Sequence, residues 1–351
     1  MIHLISRKYK QDTTDSMLFT PVVEQLEKKI GKENMTVWAR SPHADVNLEG
    51  RYYLYTLFFS GLKNFKKGDV IFVTSTPPFL SIVVLLVKLF KKFKVIFQVQ
   101  DLYPDLMKFL PGKYNLAYRF IYPFTFILYR MVDHFVTISD KIKENLISNY
   151  KVNPKLISIV ENWTDLGNIA FSESGRKGKV IYIGNIGRAH DYSYFLDYIF
   201  TNGIDLKVVI KTDNSSKLNV FNSKKLSAKG LKAVPLPETV EWNHTRYSQD
   251  ELAVFLGEFD YSIVFMGEGF DKVLFPCKIY ASFAQLLPVI FFGPKDSYIN
   301  QWLEVNNLGF HYLDMNEKYN NLNSFRKSID NLNNQYTNAV KLDQLTKIIL
   351  A

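Results

Sequence analysis

The chain has 351 residues, 47% hydrophobic and 22% charged, enough apolar material for two cores and too much for a disordered chain. Its net charge of +9 is uneven: residues 1–165 carry 23 basic against 15 acidic side chains, and residues 166–351 carry 20 against 19. A single cysteine, Cys277, excludes an intramolecular disulfide and a cysteine-based zinc site.

The first residues, Met1-Ile-His-Leu-Ile-Ser, read as a strand, because no basic segment followed by an apolar core and a cleavage site is present. Short runs apolar on both faces follow at 70–74, 95–99, 135–138 and 157–160, separated by stretches with helical spacing such as 19–30 and 141–150. That alternation predicts a parallel sheet with helices on both sides. The most apolar stretches, 79–90 and 120–132, are interrupted or short of the roughly 20 apolar residues a bilayer span needs. The expectation is a cytoplasmic chain without a transmembrane helix. After Asn162-Trp163-Thr164-Asp165 the pattern breaks into a polar stretch at 172–178, and a second strand series begins at 179–184, continuing at 206–210, 261–265 and 289–292. Two Rossmann-like domains facing a cleft are expected, at 1–165 and 166–334, with a C-terminal helix at 335–351 packing back on the first.

Four segments carry candidate chemistry. Gly184-Asn185-Ile186-Gly187-Arg188-Ala189-His190 follows a strand and precedes a helix. Glycines let backbone approach a ligand, a helix start offers free N–H groups, and Arg188 adds a forked donor for phosphate oxygens. The third glycine of the dinucleotide fingerprint is absent, and the segment also reads as a plain turn bearing a surface arginine. Pro276-Cys277-Lys278-Ile279 opens another helix, where Lys278 suits a phosphate as a point charge or is simply solvated. Asp101 and Tyr103, in Gln100-Asp101-Leu102-Tyr103-Pro104, lie at a strand end, where open α/β sheets bind ligands and where aspartate also serves turn chemistry. The hydroxyls of Thr74-Ser75-Thr76-Pro77-Pro78 can face an acceptor, although the prolines by themselves account for a helix start. The six histidines have no metal-ligand spacing; His134 reads as structural, and His190 beside the glycine turn is the one of interest. Two glycosylation-type triplets, at Asn162 and Asn243, are chance matches in a cytoplasmic chain.

Taken in order, "TSTPP", "DLYPD", "VENWTD", "YIGNIGRAHD" and "FPCKIYASFAQLLPVIFFG" span residues 70–293 and resemble the retaining GT-B glycosyltransferases of the GT4 type, closest to the branch that builds O-antigens and capsules. The resemblance implies an α/β protein of GT-B architecture that moves a sugar from a nucleotide-diphosphate sugar to a glycan or lipid-linked acceptor with retention. Arg188 and Lys278 would hold the donor diphosphate, with Gly184, Asn185 and Gly187 turning beside it and Pro276 and Ile279 framing the lysine. Asp101 would face the transferred sugar. Asn162 and Trp163 would mark the crossover between domains. No metal or cofactor is implied, because the protein's own cations and helix dipole stabilise the departing diphosphate.

The chain departs from the family pattern in several places. Ala281 stands where a glutamate grips the ribose, Val273 where its partner glutamate would be, and Leu286 in place of a glycine; Glu268 and Asp271 are nearby substitutes. Ser16, in Thr13-Thr14-Asp15-Ser16, takes the place of a glycine-rich acceptor loop. The missing glutamate motivates a second reading, a non-catalytic GT-B subunit partnering another transferase. A GT-B epimerase is a third, with Asp101 and His190 as its candidate groups. The basic first half fits peripheral contact with an anionic membrane through stretches such as 62–67 and 88–94. Nucleic acid is not expected, because the basic residues form no single arginine- and aromatic-rich stripe.

Overall fold

The runs apolar on both faces form buried parallel strands. The computed structural model describes residues 1–351 except 11–13, 49, 51, 77–78, 111, 165, 168, 170–176, 185–186, 188, 203–206, 212–238, 244 and 246. Among the described residues the strands are β1 (Ile2–Ile5), β2 (Met35–Ala39), β3 (Val46–Asn47), β4 (Val70–Thr74), β5 (Lys94–Val99), β6 (His134–Thr137) and β7 (Ile157–Ile159), then β8 (Lys179–Ile183), β9 (Lys207–Lys211), β10 (Val240–Asn243), β11 (Tyr261–Phe265), β12 (Val289–Phe292) and β13 (Gly309–His311). The helices are α1 (Thr14–Ile30), α2 (Tyr53–Asn64), α3 (Leu80–Lys88), α4 (Lys113–Tyr129), α5 (Asp140–Tyr150), α6 (Ser193–Asn202), α7 (Gln249–Leu256), α8 (Lys278–Ala284), α9 (Tyr298–Val305), α10 (Met315–Lys318), α11 (Leu322–Gln335) and α12 (Asn338–Leu350).

Two sheets result, in the orders β3-β2-β1-β4-β5-β6-β7 and β10-β9-β8-β11-β12-β13, each paired in parallel throughout. In both, the first strand lies inside the sheet; the chain builds outward on one side, then crosses to the other. The reversals fall between β1 and β4 and between β8 and β11, and at such a point the helices leave in opposite directions and open a crevice at the strands' carboxyl ends.

The chain divides into two compact units. Unit 1 comprises Met1–Trp163, Lys272–Phe275 and Thr337–Ala351; unit 2 comprises Thr164–Asp271 and Pro276–Tyr336. In unit 1, α1 and α12 pack Leu18, Val22, Leu26, Leu345 and Ile349 onto Leu4, Phe72, Ile96 and Val136. Strand side chains alternate between faces, so Phe97 and Phe135 point the other way, where α4 rests Tyr129 on both rings at 5.5 and 5.8 Å. Each fully buried Leu or Phe contributes about 1.5–3 kcal/mol. Unit 2 gathers Tyr182, Phe195, Phe265, Ile290 and Phe310 into one cluster and Ile181, Val209, Phe259 and Leu287 into another.

Local signals set the helix starts. Ser139 accepts from the Ile142 N–H, Thr337 accepts from the Val340 N–H, and Ser248 with Glu251 closes a capping box on α7. His3 is buried in unit 1 and bonds Asp69 at 3.1 Å while accepting from the Trp38 indole at 3.2 Å. Burial pushes its pKa down. It sits on the β1 side facing the strands' amino ends, away from any crevice, and is structural. His134 bonds Ser158 on the neighbouring strand at 2.9 Å.

Candidate donor site

β8 ends at Gly184, whose φ of +100° lies where residues with a Cβ are strained. A Cβ there would also come within 2.8 Å of Lys278 Cε, so the glycine both turns the chain and leaves room for the lysine. Further along, the Gly187 N–H donates to His190 Nδ1 at 2.8 Å. With Nδ1 accepting, the neutral ring carries its proton on Nε2. That Nε2 lies 3.3 Å from Lys278 Nζ, which donates to the Tyr182 hydroxyl at 2.7 Å and sits 4.5 Å above the Tyr182 ring. Tyr182 comes from β8 and stacks on Phe265 of β11 at 4.6 Å.

The next strands close the same corner. Gly267, just after β11, donates to the Ala189 carbonyl at 2.8 Å, and Met266 donates to the Phe292 carbonyl at 3.0 Å. Any Cβ on Gly293, after β12, would meet the Met266 carbonyl at 2.9 Å, so only glycine permits this approach. Lys278, His190, Gly184 and Gly187 therefore converge at the carboxyl ends of β8 and β11, the reversal point of this sheet. Burial pushes the Lys278 ammonium down to about 7, well below an ordinary lysine. An anion bound beside it would restore the charge.

Of the other expected donor residues, Pro276 is buried and its carbonyl accepts from the Ile279 N–H at 3.2 Å, while Ile279 is fully buried in unit 2. They shape the turn that presents Lys278. Arg188 and Asn185 lie outside the described residues. Glu268 is exposed in the turn after β11. Asp271 is buried, and its carboxylate accepts from the Tyr298 N–H at 2.7 Å, capping α9. Ala281 packs against the cluster of Leu166, Ile181 and Leu287. Leu286 has φ +52°, the left-handed region that favours glycine. Among the described residues no group of three or more His, Cys, Asp or Glu is placed to hold a metal.

The residues expected on the acceptor side all lie in unit 1. Asp101 is half-buried just after β5, and its N–H donates to Ser75 Oγ at 3.1 Å. A segment far away in sequence holds the same turn: Asp101 bridges Leu274, and Leu102 donates to the Val273 carbonyl at 2.8 Å. Val273 is thus a buried backbone partner. Tyr103 lies 6.3 Å from the Phe79 ring, and its carbonyl accepts from the Tyr129 hydroxyl. The Thr76 carbonyl accepts from Thr74 Oγ1 at 3.1 Å, and Thr74 also reaches Ser6 across the β1–β4 reversal. Ser16 belongs to α1, with its side chain outside the description. Asp105 was missed in the sequence: it is buried against Tyr150 and Asn149, its pKa raised by burial, beside a cavity of about 320 Å³ also lined by Lys108, Lys141 and Lys272. Its signal was present in "DLYPD", but which of the two aspartates is buried depends on α5.

Residues 15–168 match Glycosyltransferase Family 4. The matched segment, under half of the chain, is similar to that family. It covers most of unit 1, including the Thr76, Asp101 and Tyr103 turns. Solved structures match over both units. Anabaena HepE in complex with UDP superposes with a TM-score of 0.66 at 9% identity, covering 99% of each chain. A sucrose-phosphate synthase from Thermosynechococcus elongatus gives 0.69 at 10%, covering 99% of this chain and 97% of that one. A UDP-forming trehalose-phosphate synthase from Burkholderia vietnamiensis gives 0.61 at 10%, covering 99% of each. No curated protein matches the sequence. The chain and these solved structures share the α/β GT-B fold with two sheets of parallel strands, as the strand alternation and the five ordered segments predict.

Proposed function

We propose that the protein is a glycosyltransferase that moves a sugar from a nucleoside-diphosphate sugar to a glycan or lipid-linked acceptor in surface polysaccharide assembly. The observation that carries this is Lys278, a desolvated ammonium held beside His190 and the Gly184 turn at the reversal point of the second sheet. Its Nζ can bond the diphosphate oxygens that gain charge as the sugar–phosphate bond breaks, and this lowers the barrier without a metal ion. Arg188 would supply the second cation. His190 Nε2, 3.3 Å from Lys278 Nζ, lies beside the same space. Asp101, on its stapled turn, would orient a sugar hydroxyl. Transfer with retention is part of the proposal, as is a cytoplasmic location.

Thermal shift with UDP, GDP, TDP and CMP tests the donor site. A matching diphosphate at about 100 times its Kd should raise Tm by roughly 5 °C in the wild type and leave Lys278→Ala and Arg188→Ala unmoved. Turnover in either variant should fall by about 10² or more. Full activity in both would end the diphosphate assignment. A second reading, a non-catalytic subunit, draws on Ala281 packing into the core and Asp271 being spent on a helix cap, which leaves neither for a ribose. An unchanged Tm with every nucleotide would favour it.

A further inference from the structure

Three helices of unit 1 lie side by side over one face of its sheet, α3 packing between α2 and α4. Their outer surfaces are apolar. On α4, Leu116, Phe120, Phe124 and Ile127 are 59%, 68%, 68% and 63% exposed, and at 100° per residue they share one arc of about 80°. On α2, the tilted rings of Tyr55 and Phe59 have centroids 4.3 Å apart and are 65% and 50% exposed; Phe90, just past α3, is 70% exposed. Scattered apolar surface residues are ordinary, but an aligned aromatic stripe on adjoining helices marks an interaction face.

Charge identifies its partner. Segments 51–67, 80–94 and 112–130, which build these helices, contain 11 Lys and Arg and no Asp or Glu. The rest of the chain carries 32 basic against 34 acidic residues, so these segments hold the whole positive excess. Lys88 is neutralised by Asp133; the exposed Lys63, Lys66, Lys67, Lys92, Arg119 and Arg130 face water. A second copy docked here would set like charges against each other. No helix among the described residues is long and apolar enough to cross a membrane, so the face is suited to lying on one.

We propose that the α2–α4 face docks on an anionic phospholipid bilayer, with α4 in the interface plane, Phe120 and Phe124 in the acyl boundary and the surrounding Lys and Arg on lipid phosphates. The donor residues belong to unit 2, so the docking face and the donor site can fail separately.

Vesicle flotation tests this with the full chain, using phosphatidylcholine alone and phosphatidylcholine doped with phosphatidylglycerol. The wild type should float only with the anionic vesicles and be released by high salt. Phe120→Ser with Phe124→Ser should weaken binding on the order of tenfold or more. Replacing Lys66, Lys67 and Lys92 by Gln should weaken it by about fivefold per lysine. Circular-dichroism melts and the nucleotide-induced shift report whether each variant is folded. Wild type that stays with the soluble fraction, or variants that float as well as wild type, would overturn the proposal. So would light scattering that shows a dimer dissolved by the Phe substitutions, since the face would then belong to a second copy.

Discussion

Lys278 is partly enclosed, and that enclosure has a stability cost with a definite sign. Its folded pKa is about 7 against 10.5 for an ordinary lysine. Between those values the unfolded chain holds one proton more than the folded chain, so Lys278 makes stability rise with pH across that window. Below about 7 both states are protonated and the cost of the enclosed charge is fully present. Lys278→Met should therefore raise Tm most below pH 7, with the gain shrinking toward pH 10 in a melting series. A pH-independent difference would mean the ammonium is not desolvated. Because a bound diphosphate favours the charged form, nucleotide affinity should weaken above pH 7, at most about tenfold per unit. Gly184→Ala tests the turn: with φ +100° and only 2.8 Å to Lys278 Cε, it should abolish the nucleotide-induced shift and cost about 1–2 kcal/mol in a denaturant titration. An undisturbed shift would show that the lysine can bind from another position.

At the scale of elements, α12 is the clearest case of a helix whose role lies far from its place in the chain. Thr337 caps it, Leu345 and Ile349 are fully buried in the unit 1 core, and Asp343 pairs with Lys29 of α1 at 2.8 Å. Lys341 donates to the Asn162 carbonyl at 3.1 Å and pairs with Glu161 at 3.5 Å, fastening the crossover segment. The exposed Lys29–Asp343 pair contributes little, whereas the buried leucine matters. Leu345→Ala should cost about 2–5 kcal/mol, read from the urea midpoint at unchanged slope. A loss under 1 kcal/mol would show that the helix docks loosely. That a C-terminal helix packs back on the first domain was legible in the sequence; which residues of α1 and the sheet it meets was not, because an amphipathic stripe specifies that it must be covered, not by which side chains.

For the whole molecule, the chain order of unit 1 matters more than its length. Unit 1 takes residues from three places, and Lys272–Phe275 holds the Asp101 turn through backbone pairing. A fragment of residues 1–163 lacks both that staple and α12, leaving the face occupied by Leu345 and Ile349 open to water. Such a fragment should aggregate or melt well below the full chain by circular dichroism. A fusion of 1–163 to 337–351 should recover most of the loss. Equal melting of both fragments would mean the first segment folds without help.

The sequence by itself determined the class of fold, because runs apolar on both faces can only be satisfied by covered parallel strands, and strand–helix alternation leaves few ways to connect them. It also singled out the glycine turn after β8 and the lysine at the α8 start, two groups that keep their chemistry wherever they are placed. Tertiary structure decided which of these groups meet. Lys278 and His190 are 88 positions apart yet 3.3 Å in space, and the residues between them carry no local trace of that contact. It likewise decided that Asp271 caps a helix, that Val273 is a backbone staple and that Asp105, not Asp101, is the buried aspartate of its pair. A side chain's type limits what it can bond, but only the packing of distant elements determines which partner is within reach.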